Sequence, residues 1–74
     1  MGDFMETKRD KFVRLAEKRV NSVIKELELI GNLSNTSNYD YTKEDADKII
    51  KTLKKNITNL ELKFTSKKKS NFKL

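Results

Sequence analysis

The sequence predicts an all-α protein: an antiparallel hairpin of two helices, at about residues 8–30 and 43–63, assembling into a homo-oligomeric helical bundle. Three observations lead there. Two segments carry apolar residues at alternating steps of three and four. Neither segment contains proline. Between them lies GNLSNTSNYDY, residues 31–41, which is mostly amides and hydroxyls.

In the first segment Arg9, Val13, Ala16, Val20, Val23, Leu27 and Ile30 form the series, widened by Phe12 and Ile24. That spacing is the single stripe of a helix that buries one face against a partner helix. Gly31 follows the last periodic residue, which predicts a left-handed glycine closing the helix. In the second segment Ala46, Ile50, Leu53, Ile57, Leu60 and Phe64 repeat the pattern, widened by Ile49. Thr42-Lys43-Glu44-Asp45 reads as a capping box, with Thr42 as N-cap and Asp45 at the third position. Glu44 and Asp45 also put negative charge in the first turn, where it suits the helix dipole. The hairpin domain therefore covers residues 1–63. The segment 64–74 is a basic tail, whose last ten residues, TSKKKSNFKL, lose the pattern, as a disordered end does.

Size argues for association. A chain of 74 residues buries only about 60% of its unfolded surface. The usual aids to such a scaffold are disulfides, a metal or oligomerisation. With neither cysteine nor histidine in the sequence, oligomerisation is the aid expected, as a dimer or higher. Two stripes are also more than two helices can cover, and pairing hairpins into a bundle dries the remainder.

Several classes are disfavoured. No apolar run approaches the ~18 residues of a membrane span. The start, MGDFMETKRDK, lacks the apolar core of a signal peptide, and Glu6 breaks the myristoylation pattern that Gly2 would open. A cytoplasmic protein is the expectation, and the Asn-x-Ser/Thr matches at Asn32, Asn35 and Asn56 then carry no meaning. Catalysis is not expected, because a nucleophile would need a carboxylate or lysine as its base. The carboxylates Glu17, Glu26, Glu28, Asp45, Asp47 and Glu61 are scattered among lysines. No cofactor and no metal are expected, since Asp40, Glu44, Asp45 and Asp47 lack calcium-loop spacing and its glycine.

Net charge is +6. The tail, with Lys67, Lys68, Lys69 and Lys73, holds most of that excess. On a helical wheel Lys11, Arg14, Lys18 and Lys25 fall on the face away from the stripe, while Arg19 borders it. Lys48, Lys51 and Lys55 cluster on the outer face of the second helix. Such ridges suit phosphates, each contact adding salt-sensitive and sequence-blind affinity. They equally suit the solvated outside of a bundle, and Glu17 and Glu28 weaken the field of the first ridge. No helix-turn-helix, zinc-finger spacing or aromatic RNA platform accompanies them.

The loop admits two readings. In one, Asn and Ser make local turns while Leu33, Tyr39 and Tyr41 fold over the open end of the hairpin. In the other it is a binding loop beside a helix N-terminus, a natural anion position. Ser34, Asn35, Thr36, Ser37 and Asn38 would then supply donors, and Tyr39 or Tyr41 would stack a base. Asp40, Glu44 and Asp45 oppose an anion there.

RLAEKRVNSVI at 14–24 and LIGNLSNTSNYDYTKEDADKI at 29–49 resemble a family of small uncharacterised proteins from low-GC Gram-positive bacteria, their phages and mobile elements. The resemblance covers about residues 8–55 and is most specific in RLAEKR and GNLSN-x-SNY-x-YT. It implies a short helical fold and a phage or mobile-element setting, but no activity. Short phage proteins often inhibit a host or defence component or sequester a nucleotide signal. The expectation is therefore a non-enzymatic binding protein whose partner is a host or defence protein or an anionic nucleotide. Its working surface would be Arg14, Lys18 and Arg19 with Asn32, Ser34, Asn35, Ser37, Asn38, Tyr39 and Tyr41. The alternative is a nucleic-acid-binding accessory protein using Lys11, Lys25, Lys48, Lys51, Lys55 and the tail lysines Lys67, Lys68 and Lys69. A structural dimer without a ligand is a third reading.

Overall fold

The computed structural model describes residues 5–65. Two helices, α1 (Lys8–Asn32) and α2 (Lys43–Thr65), make up the described fold, with no strand among the described residues. The chain divides into two compact units between Tyr39 and Asp40, each holding one helix. The tail lysines Lys67, Lys68 and Lys69 lie outside the described residues.

Both helices start in the same way. Thr7 stands before α1 in an extended conformation, and its hydroxyl accepts from the Asp10 amide at 2.9 Å. The Asp10 carboxylate accepts in return from the Thr7 amide at 3.4 Å. At α2 the Thr42 hydroxyl accepts from the Asp45 amide, and the Asp45 carboxylate from the Thr42 amide, each at 3.0 Å. Each reciprocal pair satisfies two of the amides that a helix start leaves without an internal partner. The box at Thr42 was legible in the sequence. The one at Thr7 was not anticipated, although Thr7-Lys8-Arg9-Asp10 carries the same threonine and aspartate at the same spacing.

The end of α1 corrects an expectation. Gly31 is not a left-handed terminator: no described residue has a positive φ, and Gly31 lies within α1. The helix runs on to Asn32, with Leu33 as its right-handed C-cap. The Leu33 amide donates to the Ile30 carbonyl and the Ser34 amide to the Gly31 carbonyl, both at 3.0 Å. These three-residue bonds tighten the last turn and satisfy its carbonyls, so no left-handed residue is required. The connection is thus Leu33–Thr42, and α2 extends to Thr65 rather than to about residue 63.

Within each unit the apolar stripe stays open. No described residue is buried, and the half-covered ones are Val13, Leu15, Ala16, Ile30, Ala46 and Leu53. All but Leu15 belong to the predicted stripes. At the middle of the stripes Val20 is 56% exposed and Ile57 60%.

A Cβ added at Gly31 would meet nothing within 4 Å. Gly31→Ala therefore stabilises α1 by about 0.5–1 kcal/mol, through helix propensity and a less flexible unfolded chain. Thermal unfolding followed by circular dichroism checks this. A loss of stability would return Gly31 to the left-handed role.

Candidate binding surface

The loop after α1 is organised by one residue. The Asn35 backbone carbonyl accepts from the amides of Asn38 at 3.1 Å and Tyr39 at 3.0 Å. Its side-chain oxygen accepts from the Ser37 amide at 2.9 Å. This is a turn in which a side-chain amide mimics the backbone, the reason Asn is favoured at such positions. Asn35 is itself tied to the helix end, its amide donating to the Asn32 carbonyl at 3.3 Å. Asn32, Ser34, Asn35, Ser37, Asn38 and Tyr39 are all exposed on this turn.

Tyr41 belongs to the second unit, two residues before α2, and is exposed along with Tyr39 and Leu33. Part of the first turn of α2 is already taken. The Thr42 and Asp45 amides are occupied by the capping box. Hydrogen bonds from Thr42, backbone first and then side chain, hold the Asp45 carboxyl below its ordinary range. Lys43 is paired with Asp47 at 2.9 Å, one turn along the same helix.

The expected helix residues stand elsewhere. A rise of 1.5 Å per residue puts Arg19 about 20 Å and Arg14 about 27 Å along α1 from Asn32. The first unit therefore does not bring Arg14, Lys18 and Arg19 together with the Asn35 turn. Arg14 is also engaged: its Nε donates to one Glu6 oxygen at 2.6 Å and its Nη2 to the other at 3.0 Å. A forked guanidinium–carboxylate pair of this kind is the strong form of the ion pair. Glu6 thus occupies the Nε–Nη2 edge of the guanidinium and neutralises part of its charge, leaving Nη1 to other acceptors. The sequence offered no periodic signal for this pair, because Glu6 precedes the helix and lies eight residues from Arg14.

Lys11, Lys18 and Lys25 follow one another at seven-residue steps along the outer face of α1. They make no ion pair among the described residues, nor do Lys48, Lys51 and Lys55 on α2. Arg9 is unusual in standing at a stripe position, and its guanidinium lies 5.8 Å from the centre of the Phe12 ring. Among the described residues no three carboxylates converge to hold a metal ion, and no helix is long and apolar enough to cross a membrane.

Comparisons with protein-family models, with curated proteins and with solved structures return no match.

The Glu6 carboxyl is held below its ordinary range, first by the hydrogen bond from Arg14 and then by the charges of Arg14 and Lys11. A carboxyl depressed in the folded state contributes order that is complete above its unfolded pKa and is lost as pH falls through the folded one. Acidification from neutral through the glutamate range into the more acidic region thus releases the Glu6–Arg14 fork. The Arg14 side-chain resonances, followed by NMR, shift with a midpoint below that of a free glutamate. In Glu6→Gln that transition is absent. Because the pair is exposed, added salt weakens it.

Proposed function

We propose that this chain is a small non-enzymatic binding protein of a phage or mobile element. In this reading α1 and α2 form an antiparallel hairpin, and copies assemble into a helical bundle. The bundle displays the Asn35 turn and inhibits a host or anti-phage defence component, or holds an anionic nucleotide signal. The observation that carries the reading is the open stripe on each helix. Val20, Val23, Ile57 and Leu60 are each more than half exposed, at positions where a soluble helix normally meets a partner. Covering such a side chain fully is worth about 1.5–3 kcal/mol, so a chain carrying two stripes gains most by association.

The turn suits display. Its backbone amides at Ser37, Asn38 and Tyr39 are satisfied locally by Asn35, which leaves exposed amide, hydroxyl and phenol groups facing outward without cost to the backbone. Neutral groups of this sort give adaptable hydrogen bonding, and Tyr39 adds a rigid aromatic face. Asp40, Glu44 and Asp45, which follow the turn closely in the sequence, favour a protein partner or a base-stacked ligand over a bare phosphate. The mobile-element setting rests on the resemblance of RLAEKR and GNLSN-x-SNY-x-YT.

A second reading, a nucleic-acid-binding accessory protein, draws on the line Lys11, Lys18 and Lys25 and on the Lys48, Lys51 and Lys55 cluster, all without ion-pair partners among the described residues. The fork that holds Arg14 on Glu6 removes one cation from that ridge.

Val23→Asp or Leu53→Asp should dissociate or unfold the assembly, since each puts an unpaired charge into a closed seam. Sedimentation and circular dichroism that match wild type in both variants would sink the bundle. Asn35→Ala and Tyr39→Ala should abolish inhibitory activity in a phage-infection assay while the oligomer keeps its size. Duplex binding that falls steeply with salt, and that Lys11→Glu with Lys18→Glu removes, would favour the nucleic-acid reading instead.

A further inference from the structure

We propose that one copy's α1 seats against α2 of a second copy, antiparallel and in a single register, with Val20 opposite Leu53. This rests on the bundle reading above. In that register the alternating steps of three and four on the two helices coincide, and every stripe residue from Ala46 to Phe64 meets one on α1. Sliding α2 by one heptad leaves Ala46 beyond the end of α1 in one direction. In the other direction it leaves Leu60 and Phe64 beyond the start.

Three further features fit the same register. Both alanines of the stripes face a large side chain: Ala46 meets Leu27 and Ala16 meets Ile57. Alternating small and large residues across a seam lets the layers interdigitate. At the far end Arg9 comes opposite Phe64. That gives a role to the one charged residue in the α1 stripe, whose guanidinium already lies over the Phe12 ring. A second aromatic face would extend the cation–π contact. Along the flank Glu17 comes opposite Lys54, and neither has an ion-pair partner among the described residues. Asp10 and Glu61, of like charge, also come opposite each other. The Asp10 carboxylate is turned toward the Thr7 amide in the cap.

A two-fold axis along the bundle would place the two copies at the same height, so both contacts between copies repeat these layers. Both Asn35 turns then lie at one end, and the assembly presents a paired rather than a single binding face.

The chain lacks cysteine, which makes cross-linking clean. Val20→Cys chains are mixed in equal amounts with Leu53→Cys chains and oxidised in a thiol–disulfide buffer. A disulfide needs Cα atoms about 4.4–6.8 Å apart, so the mixed dimer should exceed either self-disulfide by roughly fivefold or more. Val20→Cys mixed with Leu60→Cys, one heptad away, should stay at the level of a denatured mixture. A dominant Val20 self-disulfide, or an equal yield from the shifted pair, overturns the register.

If the cysteines disturb folding, the exposed flank supplies an independent measurement. Glu17→Lys alone and Lys54→Glu alone should each weaken association by roughly two- to fivefold, and the double variant should restore it. Additive weakening in the double variant overturns the proposal. A wild-type chain that sediments as a monomer at micromolar concentration ends the bundle reading itself. An oligomer with the wrong cross-links ends the register alone.

Discussion

The constraint on which this molecule depends is that neither helix can dry its own apolar stripe. An isolated helix is marginal in water even at 15 residues, and in proteins most helical stability comes from packing the amphipathic face. Here α1 and α2 are 25 and 23 residues long, and no described residue reaches burial. Covalent or metallic reinforcement through cysteine or histidine is closed to a chain that has neither. What holds each helix by itself is local: the ladder of backbone bonds, good helix formers, and a box at each start. That suffices to define where helices begin and end. It does not supply a core, and among the described residues both stripes stay open.

Local chemistry accounts for the boundaries in detail. The threonine–aspartate boxes at Thr7 and Thr42 each close a helix start reciprocally. Glu6 extends the first of these by reaching forward to Arg14, so the segment before α1 is tied down by a backbone cap and an ion pair together. The end of α1 relies on neither charge nor glycine geometry. It winds into three-residue bonds at Leu33 and Ser34 and passes directly into the Asn35 turn. Residues 33–39 are therefore ordered by their own hydrogen bonds, which is how this polar stretch of the first unit keeps a shape without apolar cover.

The helices were legible because a period of three and four, sustained over several turns without proline, admits no other regular structure. Their starts were legible where a capping pattern met the first periodic residue, as at Thr42. Thr7-Lys8-Arg9-Asp10 carries the same threonine–aspartate spacing at the start of α1. The end of α1 was misjudged because a glycine after a periodic run is compatible with both a left-handed stop and one more helical turn. Only the hydrogen bonds of Leu33 and Ser34 decide between them. The Glu6–Arg14 fork had no sequence signal, since a residue outside a helix has no fixed angular relation to one inside it. For the same reason the candidate site was only partly legible. Composition identifies a polar turn and basic ridges, but the 1.5 Å rise of a helix is what separates Arg14, Lys18 and Arg19 from Asn35.

The separation bears on how the binding proposed for this chain would reach specificity. A single turn of neutral groups offers few strong contacts, and ridge lysines in open water are screened within about 8–10 Å at physiological salt. In the proposed bundle, symmetry would repeat each surface at a fixed distance, and a second contact would then form at high effective concentration. A partner that meets two Asn35 turns at once gains avidity without any new residue. The apolar stripes would then serve binding indirectly: by holding copies together they convert two weak polar surfaces into one extended face. Loss of the seam would weaken recognition even where every residue of the turn is intact, and that dependence is what separates a displayed assembly from a loop that binds on its own.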